Sequence, residues 1–241
     1  MDRQIIAVGG EDRVGFLQGL VTNHVGREGL TYAAILTPQG KYLADFFLLT
    51  EPDRILIDVA ASHAPGLLQR LAMYRLRAKV TLESLEMAVS RGTGPTPEGA
   101  LPDPRHPALG WRLYGAVQGD DTDWDALRVA HEIPETGIEL TPETYILEAG
   151  FERLHGVDFR KGCYVGQEVT ARMKHKTELR KGLIRVAVEG AAPVGTPIEA
   201  EGRPAGTLYT QSGGRALAHM RFDRLGDGMQ AGEARVGPDP G

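Results

Sequence analysis

The sequence has a single cysteine, Cys163, in 241 residues. That excludes an intramolecular disulfide and any metal site built from several cysteines of this chain. Long apolar runs are missing as well. No stretch approaches the length of a membrane span, and Met1 to Gly10 has no basic flank ahead of an apolar core, so neither a signal peptide nor a membrane partner is expected. A lone thiol without a targeting segment reads as belonging to a reducing, cytoplasmic setting. There is no G-x-S-x-G elbow and no phosphate-cradling loop. The seven histidines (24, 63, 106, 131, 155, 175 and 219) contain no pair at the i, i+4 spacing of a helical zinc site. Hydrolase, kinase and dehydrogenase readings therefore have little support.

What is present is an ordinary globular composition, 41% hydrophobic and 24% charged. The length suits one large domain or two small ones with a sizeable core. With 31 Gly, 15 Pro and only 6% aromatics, many turns and short elements are expected rather than long helices. Lys plus Arg number 27 against 32 Asp plus Glu, a net charge of -5. This excludes bulk nucleic-acid packaging but leaves room for a local basic site.

The first part reads as mixed α and β. Glu11 to Val21 has helical apolar spacing, and Thr31–Thr37, Tyr42–Leu49 and Arg54–Val59 read as strands, with Thr37-Pro38-Gln39-Gly40 as a turn. Ser62 is placed to cap a helix to about Leu76, with Leu67, Leu68, Leu71 and Met73 available for burial. Residues 91–110 read as loop, and Asp121 or Asp123 caps a short helix to about Glu132. From Gly182 on, 17 of the last 60 residues are Gly or Pro. Short apolar runs between those turns predict a small all-β barrel or sandwich. The expected division is 1–180 and 181–241.

Three signals carry chemistry. In Arg160-Lys161-Gly162-Cys163-Tyr164-Val165-Gly166-Gln167-Glu168, two glycines flank a thiol and an aromatic residue. Lys161 is close enough in sequence to favour a Cys163 thiolate, which can attack an electrophile or bind a soft metal. The alternative is an inert cysteine in a glycine-rich turn. Between Arg160 and Arg185, eight Lys or Arg face two acids, a local charge of +6. Such an island can attract an anionic tail, a phosphate or RNA, or be no more than a solvated face. No aromatic residues interleave it after Tyr164, which argues against a single-strand nucleic-acid platform. Finally, Glu148 and Asp45 sit in apolar surroundings. Each is able to accept paired hydrogen bonds from a heterocycle, or to face solvent.

The run Lys161-Gly162-Cys163-Tyr164-Val165-Gly166-Gln167-Glu168, followed by Arg172, closely resembles the signature of the YgfZ family of folate-binding proteins. These are relatives of the glycine-cleavage T protein, an aminomethyltransferase. Arg13–Asn23 resembles the family's F-L-Q-G-x-x-T-N helix, Leu36–Asp45 its L-T-P-x-G hairpin, Leu147–Gly150 its L-E-A-G, and Ala205–Arg221 its C-terminal barrel stretch. The resemblance implies an α+β fold, a three-lobed T-protein-like ring around a central folate channel, with a small C-terminal β-barrel and an abbreviated middle lobe. It implies that Glu148 binds the pterin edge and that Asp45 lies near the reactive folate nitrogen. Lys161, Tyr164, Gln167, Glu168 and Arg172 join them as cofactor-binding candidates, and the basic island suits a polyglutamylated tail of tetrahydrofolate.

The implied role is assembly or repair of iron–sulfur clusters in support of [4Fe–4S] enzymes, including radical-type tRNA-modifying ones. Cys163 is its functional thiol. Since a cluster takes four protein ligands, one cysteine is a metal ligand only if a partner supplies the others. The expected partners are an A-type iron–sulfur carrier, [4Fe–4S] client enzymes and reduced folate, with no direct nucleic acid and the chain itself a monomer. The alternative is a folate-dependent, aminomethyltransferase-like one-carbon transferase.

Overall fold

A computed structural model describes residues 2–117, 120–176 and 178–240. The chain forms two compact units. One comprises Met1–Thr122 with Phe151–Ala171, the other Asp123–Gly150 with Arg172–Gly241.

The first unit is built on β1 (Arg3–Gly9), α1 (Arg13–Gln18), β2 (Leu30–Leu36), β3 (Tyr42–Thr50), β4 (Arg54–Ala60), α2 (Ala64–Arg75) and β5 (Thr81–Leu85). The strands form one antiparallel sheet in the order β2-β3-β4-β1-β5. Because side chains alternate across a strand, β3 sends Ala44, Phe46 and Leu48 to one face, where Leu17, Leu67 and Leu71 of the two helices cover them. It sends Asp45, Phe47 and Leu49 to the other. Both faces are covered, which is why β2–β4 read as nearly continuous apolar runs. A three-stranded sheet adds β6 (Val89–Gly92), β7 (Leu101–Pro102) and β8 (Trp111–Tyr114) in the order β6-β8-β7.

The expected loop at 91–110 is thus partly structured, since Leu101–Pro102 pair with Arg112 and Trp111. Two other local expectations also change. Ser62 does not cap α2: its hydroxyl bonds the His63 ring, and His63 is the N-cap residue. Met73, expected to be buried, is 59% exposed because it lies on the solvent side of α2.

The second unit contains α3 (Trp124–His131), the last residues of α4 (Gln167–Lys176) and a closed barrel. Asp123 caps α3, accepting from the Ala126 amide at 2.9 Å. The barrel strands are β9 (Lys181–Glu189), β10 (Pro197–Ala200), β11 (Arg203–Ser212), β12 (Arg215–Arg221), β13 (Met229–Ala231) and β14 (Ala234–Pro238). Their order is β10-β11-β12-β9-β14-β13, closed by the pairing of Glu199 with Gln230. Val186, Ile198, Leu208, Ala218 and Met220 fill the interior, and closure leaves no free sheet edge.

Candidate functional site

The cysteine loop is fixed by bonds that reach back across most of the chain. Lys161 is buried, and its Nζ donates to the carbonyl oxygens of Gln18 at 2.6 Å and Val21 at 2.5 Å, just past the end of α1. A cation suits this place, where helix carbonyls lack partners. Burial lowers the Lys161 ammonium to about 8, with the Asp158 carboxylate acting the other way. The Tyr164 ring lies 5.0 Å from the same ammonium. Next along the chain, the Thr22 hydroxyl donates to the Gly156 carbonyl at 2.7 Å, and the Asn23 amide donates to His155 at 2.6 Å and to Tyr32 at 2.8 Å.

From the other side, the hairpin turn meets the loop at Gly166. A Cβ there would lie 2.6 Å from the Thr37 carbonyl oxygen, and φ is +84°. Gly40 is equally tight against Val169, at 2.9 Å from its Cβ. The stretches around α1, the hairpin and the Cys163 run are therefore a single assembly.

On this frame Cys163 is exposed. Lys161 spends its protons on carbonyls, and the sulfur is not among its contacts. Tyr164 is buried with its hydroxyl unpartnered, and burial raises that hydroxyl to about 12. Gln167 and Glu168 open α4. Glu168 sits in the first turn, where a carboxylate complements the helix dipole. Arg172 is exposed one turn further on.

Asp45 is 5% exposed on β3. Its Oδ1 accepts from the Tyr42 hydroxyl at 2.6 Å and its Oδ2 from the Tyr32 hydroxyl at 3.0 Å. Burial, reinforced by the Asp45 charge, pushes the Tyr32 hydroxyl well above its ordinary range. Beside it lies a buried ion network with no signal in the sequence. Asp58 accepts from Arg3 at 2.6 Å and from Arg112 at 2.7 Å, and Asp103 pairs with Arg105 at 2.7 Å. The guanidinium carbons of Arg112, Arg105 and Arg3 stand 4.1, 4.9 and 5.8 Å from the centre of the Phe47 ring. These three cations are matched by Asp58, Asp103 and Asp45, as burial of charge requires.

Glu148 belongs to the second unit. It is 8% exposed, with Oε2 3.2 Å from His219 Nε2 and 3.5 Å from Lys181 Nζ. Its backbone carbonyl accepts from the Leu183 amide at 2.7 Å, which fixes the L-E-A-G stretch to β9. The carboxylate lines a cavity of about 310 Å³ with Met173, Glu178, Leu179, Arg180, Lys181 and Arg221. Two carboxylates, apolar walls and three cations line it, a set able to accept from adjacent N–H groups and to meet an anion. His219, read from the sequence as surface or structural, is part of this site. The basic island is only partly available: Lys161 is buried, and Arg185 is bonded to the Ala130 carbonyl and to Asp239. Among the described residues no three His, Cys, Asp or Glu are grouped to hold a metal ion.

The fold is that of the aminomethyltransferases. The crystal structure of the glycine cleavage system aminomethyltransferase T from Bartonella henselae matches with a TM-score of 0.75 over 97% of this chain and 81% of that one, at 14% identity. Residues 180–240 match the family model of the CAF17 C-terminal β-barrel domain. The iron–sulfur cluster assembly factor IBA57 of Mus musculus is 31% identical over 92% of this chain and 76% of its own length, and that of Homo sapiens 30% identical over the same shares. The chain belongs to the IBA57 family. It spans only 54% of the Mycosarcoma maydis homologue, at 31% identity. These relatives are named as mitochondrial proteins. That overturns the cytoplasmic expectation, which rested on the lone thiol and the chain's first residues.

Proposed function

We propose that the chain is an accessory factor in iron–sulfur cluster assembly that offers Cys163 to a cluster held by a partner. The observation carrying this is an exposed thiol on a loop whose neighbours are locked by buried bonds. The design orders the loop before a partner arrives, so binding costs less ordering entropy. A Cys163 thiolate supplies one ligand and an A-type carrier supplies the others. The clients are [4Fe–4S] enzymes, radical-type tRNA-modifying enzymes among them, as in the YgfZ branch that the Cys163 run resembles.

In this reading tetrahydrofolate binds at the Glu148 cavity, with the pterin edge on the carboxylate and its glutamyl tail toward Arg180, Lys181 and Arg221. The one-carbon-transferase alternative is disfavoured by Asp45. Both of its oxygens already accept hydrogen bonds from tyrosine hydroxyls in a buried setting, which leaves less of the carboxylate to face a substrate. The test is removal of the protein from cells. Activity of [4Fe–4S] enzymes should fall; unchanged [4Fe–4S] activity contradicts the proposal.

A further inference from the structure

The end of α2 carries an unusual surface. Leu76, the residue after the helix, is 88% exposed and has φ +39°. A leucine in that conformation is strained, and here it buries nothing in return. Met73, one turn earlier, is 59% exposed. Arg75, Arg77 and Lys79 line one depression with Leu76, and Arg70 lies one helical turn before Met73 in sequence. From Val59 to Leu82 there is no Asp or Glu at all. Lys79 pairs with Glu11, whereas Arg70, Arg75 and Arg77 have no ion pair among the described residues. That depression is open, about 640 Å³, and runs back to Gly10 and Glu11, the one acid in its lining, which Lys79 pairs.

We infer that this tip is a peripheral docking site for an anionic bilayer surface. Two apolar side chains at a helix end can enter the interfacial layer only shallowly, while the arginines around them meet lipid phosphates. The open depression is wide enough for a headgroup. An acidic protein partner fits less well. A stable protein interface needs on the order of 800 Å² per side around a desolvated, commonly aromatic centre. This tip offers two aliphatic side chains and no enclosed groove. No helix of the described residues is long and apolar enough to cross a membrane; the proposed contact is at the surface. It departs from the expectation of no membrane partner.

The experiment is sedimentation of the whole protein with vesicles of phosphatidylcholine alone or mixed with cardiolipin. Binding should require cardiolipin and weaken as salt is raised. Arg75→Glu with Arg77→Glu should cut the bound fraction at least tenfold. Leu76→Gly is the second variant, because glycine accepts positive φ and leaves folding intact or improved; it should still lose most of the binding. Equal binding to both vesicle types, or full binding by the double variant, overturns the inference. So does absence of vesicle binding alongside patch-dependent capture of an acidic protein.

Discussion

Lys161 Nζ stands 2.5 Å from the carbonyl oxygen of Val21, 140 residues earlier in the chain. This bond and its companion to Gln18 tie the cysteine loop to the end of α1. Lys161→Met should therefore leave two carbonyls without a donor and cost roughly 2–4 kcal/mol by the usual penalty for unsatisfied buried groups. Denaturant titration measures it. The same variant should speed labelling of Cys163 by thiol reagents, because the loop loses its anchor.

Lys161 also predicts a pH dependence. Its folded value of about 8 lies below the unfolded lysine value near 10.4. Between the two, the unfolded chain binds more protons, so this group makes stability rise as pH increases from about 8 to 10. Subtracting the Lys161→Met stability curve from that of the wild type should isolate this rise. A flat difference contradicts the buried placement of the ammonium.

Gly162 and Gly166 should behave oppositely, although they lie four residues apart. Gly166→Ala drives a Cβ onto the Thr37 carbonyl at positive φ, and should cost roughly 2–4 kcal/mol. Gly162 has nothing within 4 Å of the added carbon, so Gly162→Ala should stay within about 0.5 kcal/mol of the wild type. Thermal unfolding of the two variants side by side is sufficient.

Local motifs made much of this fold legible, whereas contacts between remote segments left little mark on the sequence. The Gly and Pro punctuation after Gly182 gave away the barrel, since each turn needs its own residue chemistry. Asp45 and Glu148 stood out as charges among apolar neighbours, and Lys161 as a base beside the lone thiol. Their remote partners did not: Val21, Tyr32 and His219 reach them only through sheet pairing and loop docking. The Arg3–Asp58–Arg112 network left no trace, because its members are scattered along the chain and meet only on one face of the folded sheet. Met73 misled because its spacing fitted a helix whose solvent side it occupies.

That network gives an acid-stability prediction. Burial alone would raise the Asp58 carboxyl, but the Arg112 and Arg3 guanidinium groups outweigh it and hold it below its ordinary value. Its contribution is complete above about pH 4 and is lost as the pH falls through the lower folded value. Asp58→Asn should cost about 3–5 kcal/mol at neutral pH, as for other broken buried pairs. It should also flatten the loss of stability in acid, followed by circular dichroism.

Glu148→Gln separates ligand binding from folding. The carboxylate lines its cavity beside His219 and Lys181. Loss of its charge should weaken tetrahydrofolate binding about tenfold or more, the worth of one charge-assisted pair. Calorimetry with reduced folate reads the affinity. Unaltered binding would move the folate site away from Glu148.

The most direct test of the account is complementation with Cys163→Ser in cells that lack the protein, reading [4Fe–4S] enzyme activity at matched protein levels. Cys163 is exposed, so the substitution should leave folding unchanged. Wild type should restore activity and Cys163→Ser should not. Equal restoration by both would remove the thiol from cluster chemistry and contradict the central claim.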